Sequence, residues 1–134
     1  MNRYLAAYAG SLIVIVCLDL LWLGFIAKPM YQQGIGHLML DKPNLPVAVL
    51  FYVMYALALV VFVVAPAGPA PTWGRTVGMA ALFGFFAYAT YDLTNLATLR
   101  GWPVGLSIAD IAWGSLVSAA AAGGGKALMG WTGR

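Results

Sequence analysis

Four stretches of this chain are each about as long as a bilayer is thick and nearly free of charge, and this limits what the chain can become. Crossing roughly 30 Å of hydrocarbon at about 1.5 Å per residue takes about 20 apolar residues in a helix. The runs from about Tyr4 to Ala27, Leu45 to Ala65, Thr76 to Leu99 and Ser107 to Leu128 reach that length, with little chain left between them. In lipid, backbone N–H and C=O groups must be paired within the spanning segment, and four segments cannot close a barrel. The expected fold is all-α: a four-transmembrane-helix bundle, one integral membrane domain over residues 1–134.

Composition agrees. At 63% hydrophobic and 8% charged, with a mean hydropathy of +0.87, the chain of 134 residues is too apolar for a water-soluble domain. Seven Lys and Arg against four Asp and Glu leave a net charge of +3, but they stand singly and form no basic stripe, so nucleic acid is excluded as a partner. The single cysteine, Cys17, permits no internal disulfide and no Cys-based metal or redox motif, and reads as core filling. Arg3 before an apolar run suggests a signal peptide, yet the run is too long, contains Asp19 and lacks a small-x-small cleavage site.

The breaks between helices are chemically legible. Lys28 and Pro29 end the first helix, Pro66, Gly68, Pro69 and Pro71 the second, and Arg100, Gly101 and Pro103 the third. Asn44 and Thr72 are expected N-caps, and Ser107 with Asp110 matches the S-x-x-D capping-box spacing for the fourth. The one long connection, Met30 to Pro43, carries Tyr31, Gln32, Gln33, His37 and Asp41, and either lies across a mouth of the bundle or is a solvated loop. Trp73, Trp102 and Trp131 fall near the expected water boundaries and read as belt residues. Gly74 to Gly78, Ala80 to Gly84, and Gly114, Ser118 and Ala122 form small-residue seams, within one chain or between two copies of a homodimer. Asp19-Leu20, Leu23, Lys28 and Pro29 echo Asp92-Leu93, Leu96, Arg100 and Pro103, which would make two parallel two-helix repeats.

Three of the four acidic residues, Asp19, Asp92 and Asp110, fall inside expected spans. Insertion scales charge about 2.5 to 3.5 kcal/mol for a central Asp. Such residues persist only if they face the bundle interior or a wet cavity, find partners or take up a proton. Counting residues to the helix ends puts all three in the same half of the bilayer, Asp110 shallowest and Asp19 level with Asp92. Tyr88, Asp92 and Asn95 share one face of the third helix, with Tyr91, Thr94 and Thr98 beside them. Asp19 pairs with Trp22, Asp110 with Trp113, and Tyr52 with Tyr55, at i, i+3. The expectation is a hollow shared by Asp19 and Asp92, walled by rings whose N–H and O–H groups bind carboxylates and whose faces hold a cation or an apolar tail. The dry alternative is a structural polar clasp between helices.

Leu18-Asp19-Leu20-Leu21-Trp22-Leu23-Gly24, the segment from Tyr88 to Asn95, Leu99-Arg100-Gly101-Trp102-Pro103 and Asp110-Ile111-Ala112-Trp113-Gly114 together resemble one bacterial family, domain of unknown function 2177. The resemblance covers essentially the whole chain and implies a small inner-membrane protein, but brings no reaction, ligand or catalytic residue. Positive charge then orients it: Arg3, Arg75, Lys126 and Arg134 on one side against Lys28, Lys42 and Arg100 on the other put both termini in the cytoplasm.

From the residues alone, the leading function is binding or transport of a cationic or amphipathic small molecule, with membrane lipids around it, in an outward-facing cavity. Its expected lining is Asp19, Trp22, Tyr52, Tyr55, Tyr88, Tyr91, Asp92, Asn95, Asp110 and Trp113. A membrane-embedded enzyme acting on a lipid or isoprenoid is the alternative, with Asp19, Asp92 and Asp110 as general acid and base. No nucleophile motif, cofactor fingerprint or His-rich metal cluster supports it, so no cofactor is expected. The oxygens of Asp19, Asp92, Asp110 and Asn95 suit magnesium or calcium but match no metal motif, and a structural subunit is the remaining alternative.

Overall fold

The computed structural model describes residues 2–68 and 72–132, so Pro69, Pro71 and Arg134 lie outside the described residues. Every regular element among them is helical. Four long helices, α1 (Arg3–Ile26), α3 (Leu45–Ala67), α4 (Trp73–Thr98) and α5 (Val104–Thr132), are joined by short turns and one short helix, α2 (Lys28–Ile35). By length and composition α1, α3 and α5 can cross a membrane. At 26 residues α4 is long enough but is not among them, since Thr90, Asp92, Thr94 and Asn95 interrupt its second half.

Starts and stops follow local chemistry. Asn44 caps α3 by accepting from the Val47 N–H, and Asn2 caps α1 by accepting from Tyr4. Thr72 holds the N-cap position of α4, where its carbonyl accepts from both the N–H and the hydroxyl of Thr76. The capping box expected at Ser107 is not formed. Pro103 pre-sets the backbone so that α5 begins at Val104, and Ser107, a turn inside it, donates to the Pro103 carbonyl and accepts from Trp102 Nε1. Two spans contain π turns, Trp22–Ile26 in α1 and Val60–Val64 in α3, features frequent at functional sites.

Helix α5 is the hub. It packs along α1 on one side and α4 on the other, while α3 leans on α1 and reaches α4 through its π turn. Glycine allows these close approaches. A Cβ at Gly10 would stand 2.5 Å from the Gly124 carbonyl oxygen, and one at Gly84 would collide with Gly114 and Ser118. The Gly74–Gly78 pair, by contrast, has nothing within 4 Å of an added Cβ among the described residues. Ile15, Leu59, Val64, Val117 and Met129 fill the interior, and large apolar side chains such as Ile13, Leu20, Val49 and Phe86 face outward, as lipid-facing helices require.

Two further expectations are corrected. Cys17 is exposed on the outer face of α1, since that face looks away from α5. Trp102 is buried rather than in a belt: its ring packs with Ile35 and Leu106 and meets Tyr91 edge-on, and its N–H is used by Ser107. Trp73 and Trp131 are exposed.

Candidate functional site

A cavity of about 490 Å³ opens in the half of the bundle nearest α2, within the range of small-molecule sites. Its wall takes Asp19, Trp22 and Leu23 from α1, Tyr31 from α2, Ala48, Phe51, Tyr52 and Tyr55 from α3, Ala87, Tyr88 and Tyr91 from α4, and Asp110 and Trp113 from α5. Asp19 is 5% exposed, and ring donors hold both its oxygens: Trp113 Nε1 donates to Oδ1 at 2.7 Å and the Tyr52 hydroxyl to Oδ2 at 2.6 Å. Asp110, 7% exposed, accepts from the Tyr31 hydroxyl at 2.7 Å. The rings of Trp22 and Trp113 stack at 4.5 Å, almost parallel at 4°, which braces the indole that holds Asp19.

Tyr31 belongs to the connection that sequence left open between a solvated loop and a cover. The cover is what forms: Pro29 at its first turn starts α2, Ile35 packs on Trp102 and Leu106, and Tyr31 reaches Asp110. Burial, and then the carboxylate it bonds, push the Tyr31 phenol above its ordinary range, so it stays a donor near neutral pH. Gln32, Gln33, His37 and Asp41 are exposed.

Of the ten residues expected to share one hollow, Asp19, Trp22, Tyr52, Tyr55, Tyr88, Tyr91, Asp110 and Trp113 do line it. Asp92 and Asn95 do not. The expected meeting of Asp19 with Asp92 is replaced by Asp19 with Asp110, because α1 and α4 flank opposite sides of α5. Asp92 is 1% exposed, and neither of its oxygens meets a hydrogen-bond donor among the described residues. Its acidic neighbour is Asp110. Of the polar flank of α4, Tyr91 lines the cavity, while Thr94 and Thr98 are exposed and, like Thr90, donate back to the carbonyl one turn earlier, at 2.5, 2.7 and 2.6 Å. Sequence reasoning missed Leu23, Tyr31, Ala48, Phe51 and Ala87. Only Tyr31, a polar aromatic in the one long connection, carried a readable signal.

The opposite end of the bundle holds a buried cation. Lys126, 2% exposed, donates to the Gly68 carbonyl at 2.7 Å and lies 5.7 Å from the centre of the Trp73 ring. Among the described residues no three His, Cys, Asp or Glu side chains stand together to hold a metal ion.

Neither a curated protein nor a solved structure matches the chain significantly. A family model, that of the predicted membrane proteins DUF2177, matches residues 4–127, nearly the whole length. With its apolar helices and this match, the chain belongs to the DUF2177 family and is a multi-pass membrane protein.

Proposed function

We propose that all four long helices cross the bilayer and that the cavity binds an organic cation, as the first step of carrying it into or across the membrane. The observation that carries this reading is charge balance inside an aromatic wall. Asp19 and Asp110 face one cavity whose lining among the described residues holds no Lys, Arg or His, and the rest of that lining is rings and apolar side chains. Stacked indoles and tyrosine rings supply faces that attract a cation, worth about 2 kcal/mol or more once the cation is desolvated. A cation between the two carboxylates would neutralise what the lipid cannot solvate. An inner-membrane location with both termini in the cytoplasm belongs to the same reading, as does a pair of parallel repeats.

The test is binding of tetraphenylphosphonium and of tetraphenylborate, its anionic counterpart, to the full chain in nanodiscs by equilibrium dialysis. The phosphonium should bind and the borate should not. Asp19→Asn should weaken the phosphonium by about tenfold, equivalent to about 1.4 kcal/mol. Equal binding of both ions, or affinity unchanged in Asp19→Asn and Asp110→Asn alike, contradicts the reading.

One observation favours a second reading, an enzyme acting on a lipid or isoprenoid: Asp110 accepts from a tyrosine and neighbours Asp92, a carboxyl that meets no donor among the described residues. Unlike surroundings for adjacent carboxyls are what divides acid from base. Lipid extracts of deletion and wild-type cells compared by mass spectrometry test it, and identical profiles remove it.

A further inference from the structure

Resting on the cation reading, the geometry points to a narrower ligand class: we propose that the cavity takes an amphiphile with a cationic head and a hydrocarbon tail, entering sideways from the lipid between α3 and α4. The head lies between Asp19 and Asp110 and the tail leaves through the gap between the two helices.

Three sides of the cavity are shut. Over the water-facing end lies α2, with Tyr31 bonded to Asp110 and Ile35 packed on Trp102 and Leu106; its Gly34 is so close to α5 that a Cβ there would stand 2.8 Å from Pro103 Cγ. The floor is Tyr55, whose hydroxyl is 2.6 Å from the Ser118 hydroxyl and whose ring meets Tyr88 edge-on at 6.1 Å and Phe83 at 5.7 Å. Below it the π turn Val60–Val64 brings α3 against α4. The third side is α1 and α5, packed along each other.

The fourth side is open. Outside the π turn, α3 and α4 are not among the closely packed helix pairs, and the lining residues Phe51 and Tyr91 on them are 44% and 54% exposed, with Leu23 of α1 at 46%. Phe51 lies six residues inside the start of α3 and Tyr91 seven before the end of α4, which places both about 9 to 11 Å below the helix ends. That depth is hydrocarbon, not headgroup. The mouth therefore faces acyl chains, which a small hydrated cation does not reach and a membrane-dissolved amphiphile does. Of the lining residues on the two helices that flank the gap, Ala48 and Ala87 are small enough to leave room for a chain, while Asp19 and Asp110 belong to the wall formed by α1 and α5.

The experiment displaces bound tetraphenylphosphonium from wild-type protein in nanodiscs with tetramethylammonium and with octyl-, dodecyl- and hexadecyltrimethylammonium. Potency should rise with chain length, by at least about a hundredfold from tetramethyl to dodecyl, because each CH₂ buried in lipid or protein adds to affinity. It should not fall again at hexadecyl, because the chain runs out of the cavity into lipid. Equal potency across the series, or loss with the longer chains, overturns lateral entry while leaving a cation site standing. No phosphonium binding at all overturns both readings. Ala48→Phe, which fills the gap, should lower dodecyl potency at least tenfold more than it lowers tetramethylammonium potency; a variant that weakens both alike, or neither, speaks against the gap as the route.

Discussion

The two halves of the bundle are built by opposite rules. Towards Lys126, helices touch backbone to backbone: Gly10 lies on Gly124, and Gly125 on Ala7 and Ser11. Towards α2 they stand apart and rings take up the space, with Tyr52, Tyr88, Trp22 and Trp113 facing a common void. The polar groups divide the same way. In the packed half the buried ammonium of Lys126 is consumed by the Gly68 carbonyl and the Trp73 ring, whereas in the open half Asp19 and Asp110 are held in place by ring donors, and the cavity lining among the described residues offers them no Lys, Arg or His. One half is scaffold. The other leaves free energy for a ligand to collect.

Substitutions can break this contrast, and the largest effect belongs to the packed half. Gly10→Val drives a branched side chain into the Gly124 backbone, which cannot step aside, and should cost more than about 3 kcal/mol, seen as lost folded yield and a depressed Tm in nanodiscs. In the open half, Asp19→Asn leaves an amide where two donors point; one of them goes unpaired, at about 1 to 3 kcal/mol in thermal unfolding. Asp92→Asn should move the other way. Two adjacent carboxyls bond only through a shared proton, and an amide at Asp92 supplies a donor to Asp110 at any pH, so Tm should hold or rise by up to about 1 kcal/mol equivalent. A loss as large as that of Asp19→Asn would mean that Asp92 has a partner which its geometry does not reveal. The smallest effect is at Gly78, where an added Cβ meets nothing among the described residues: Gly78→Val should stay within about 0.5 kcal/mol for the single chain, and a larger fall that depends on protein concentration would expose a second copy seated on that face.

The three most apolar helices were legible because hydropathy over twenty residues is a strong signal, and the approximate bounds of all four long helices because the proline and glycine breaks are sharp. The errors arose where one residue overrode a pattern. Pro103 moved the start of α5 by a turn and turned an apparent capping box into part of the helix interior. The carboxylates were readable as a group, since acids in apolar runs are costly, but not as pairs. Which of them meet depends on α5 lying between α1 and α4, and helix neighbours are set by where glycine lets backbones approach. Depth can be counted along a helix; rotation about its axis cannot, when helices are apolar nearly all round. Ala48, Phe51 and Ala87 carried no signal because a cavity wall in lipid and a lipid-facing surface use the same residues.

The central claim is that a cation sits against Asp19 and Asp110 beside the stacked indoles. With Trp73, Trp102 and Trp131 replaced by Phe, the remaining fluorescence comes from Trp22 and Trp113, both in the cavity wall. A bromine-bearing quaternary ammonium titrated into that protein should quench it saturably, and Asp19→Asn with Asp110→Asn should abolish the saturation. Quenching that rises linearly without limit, or a saturable curve untouched by the double substitution, would contradict the account.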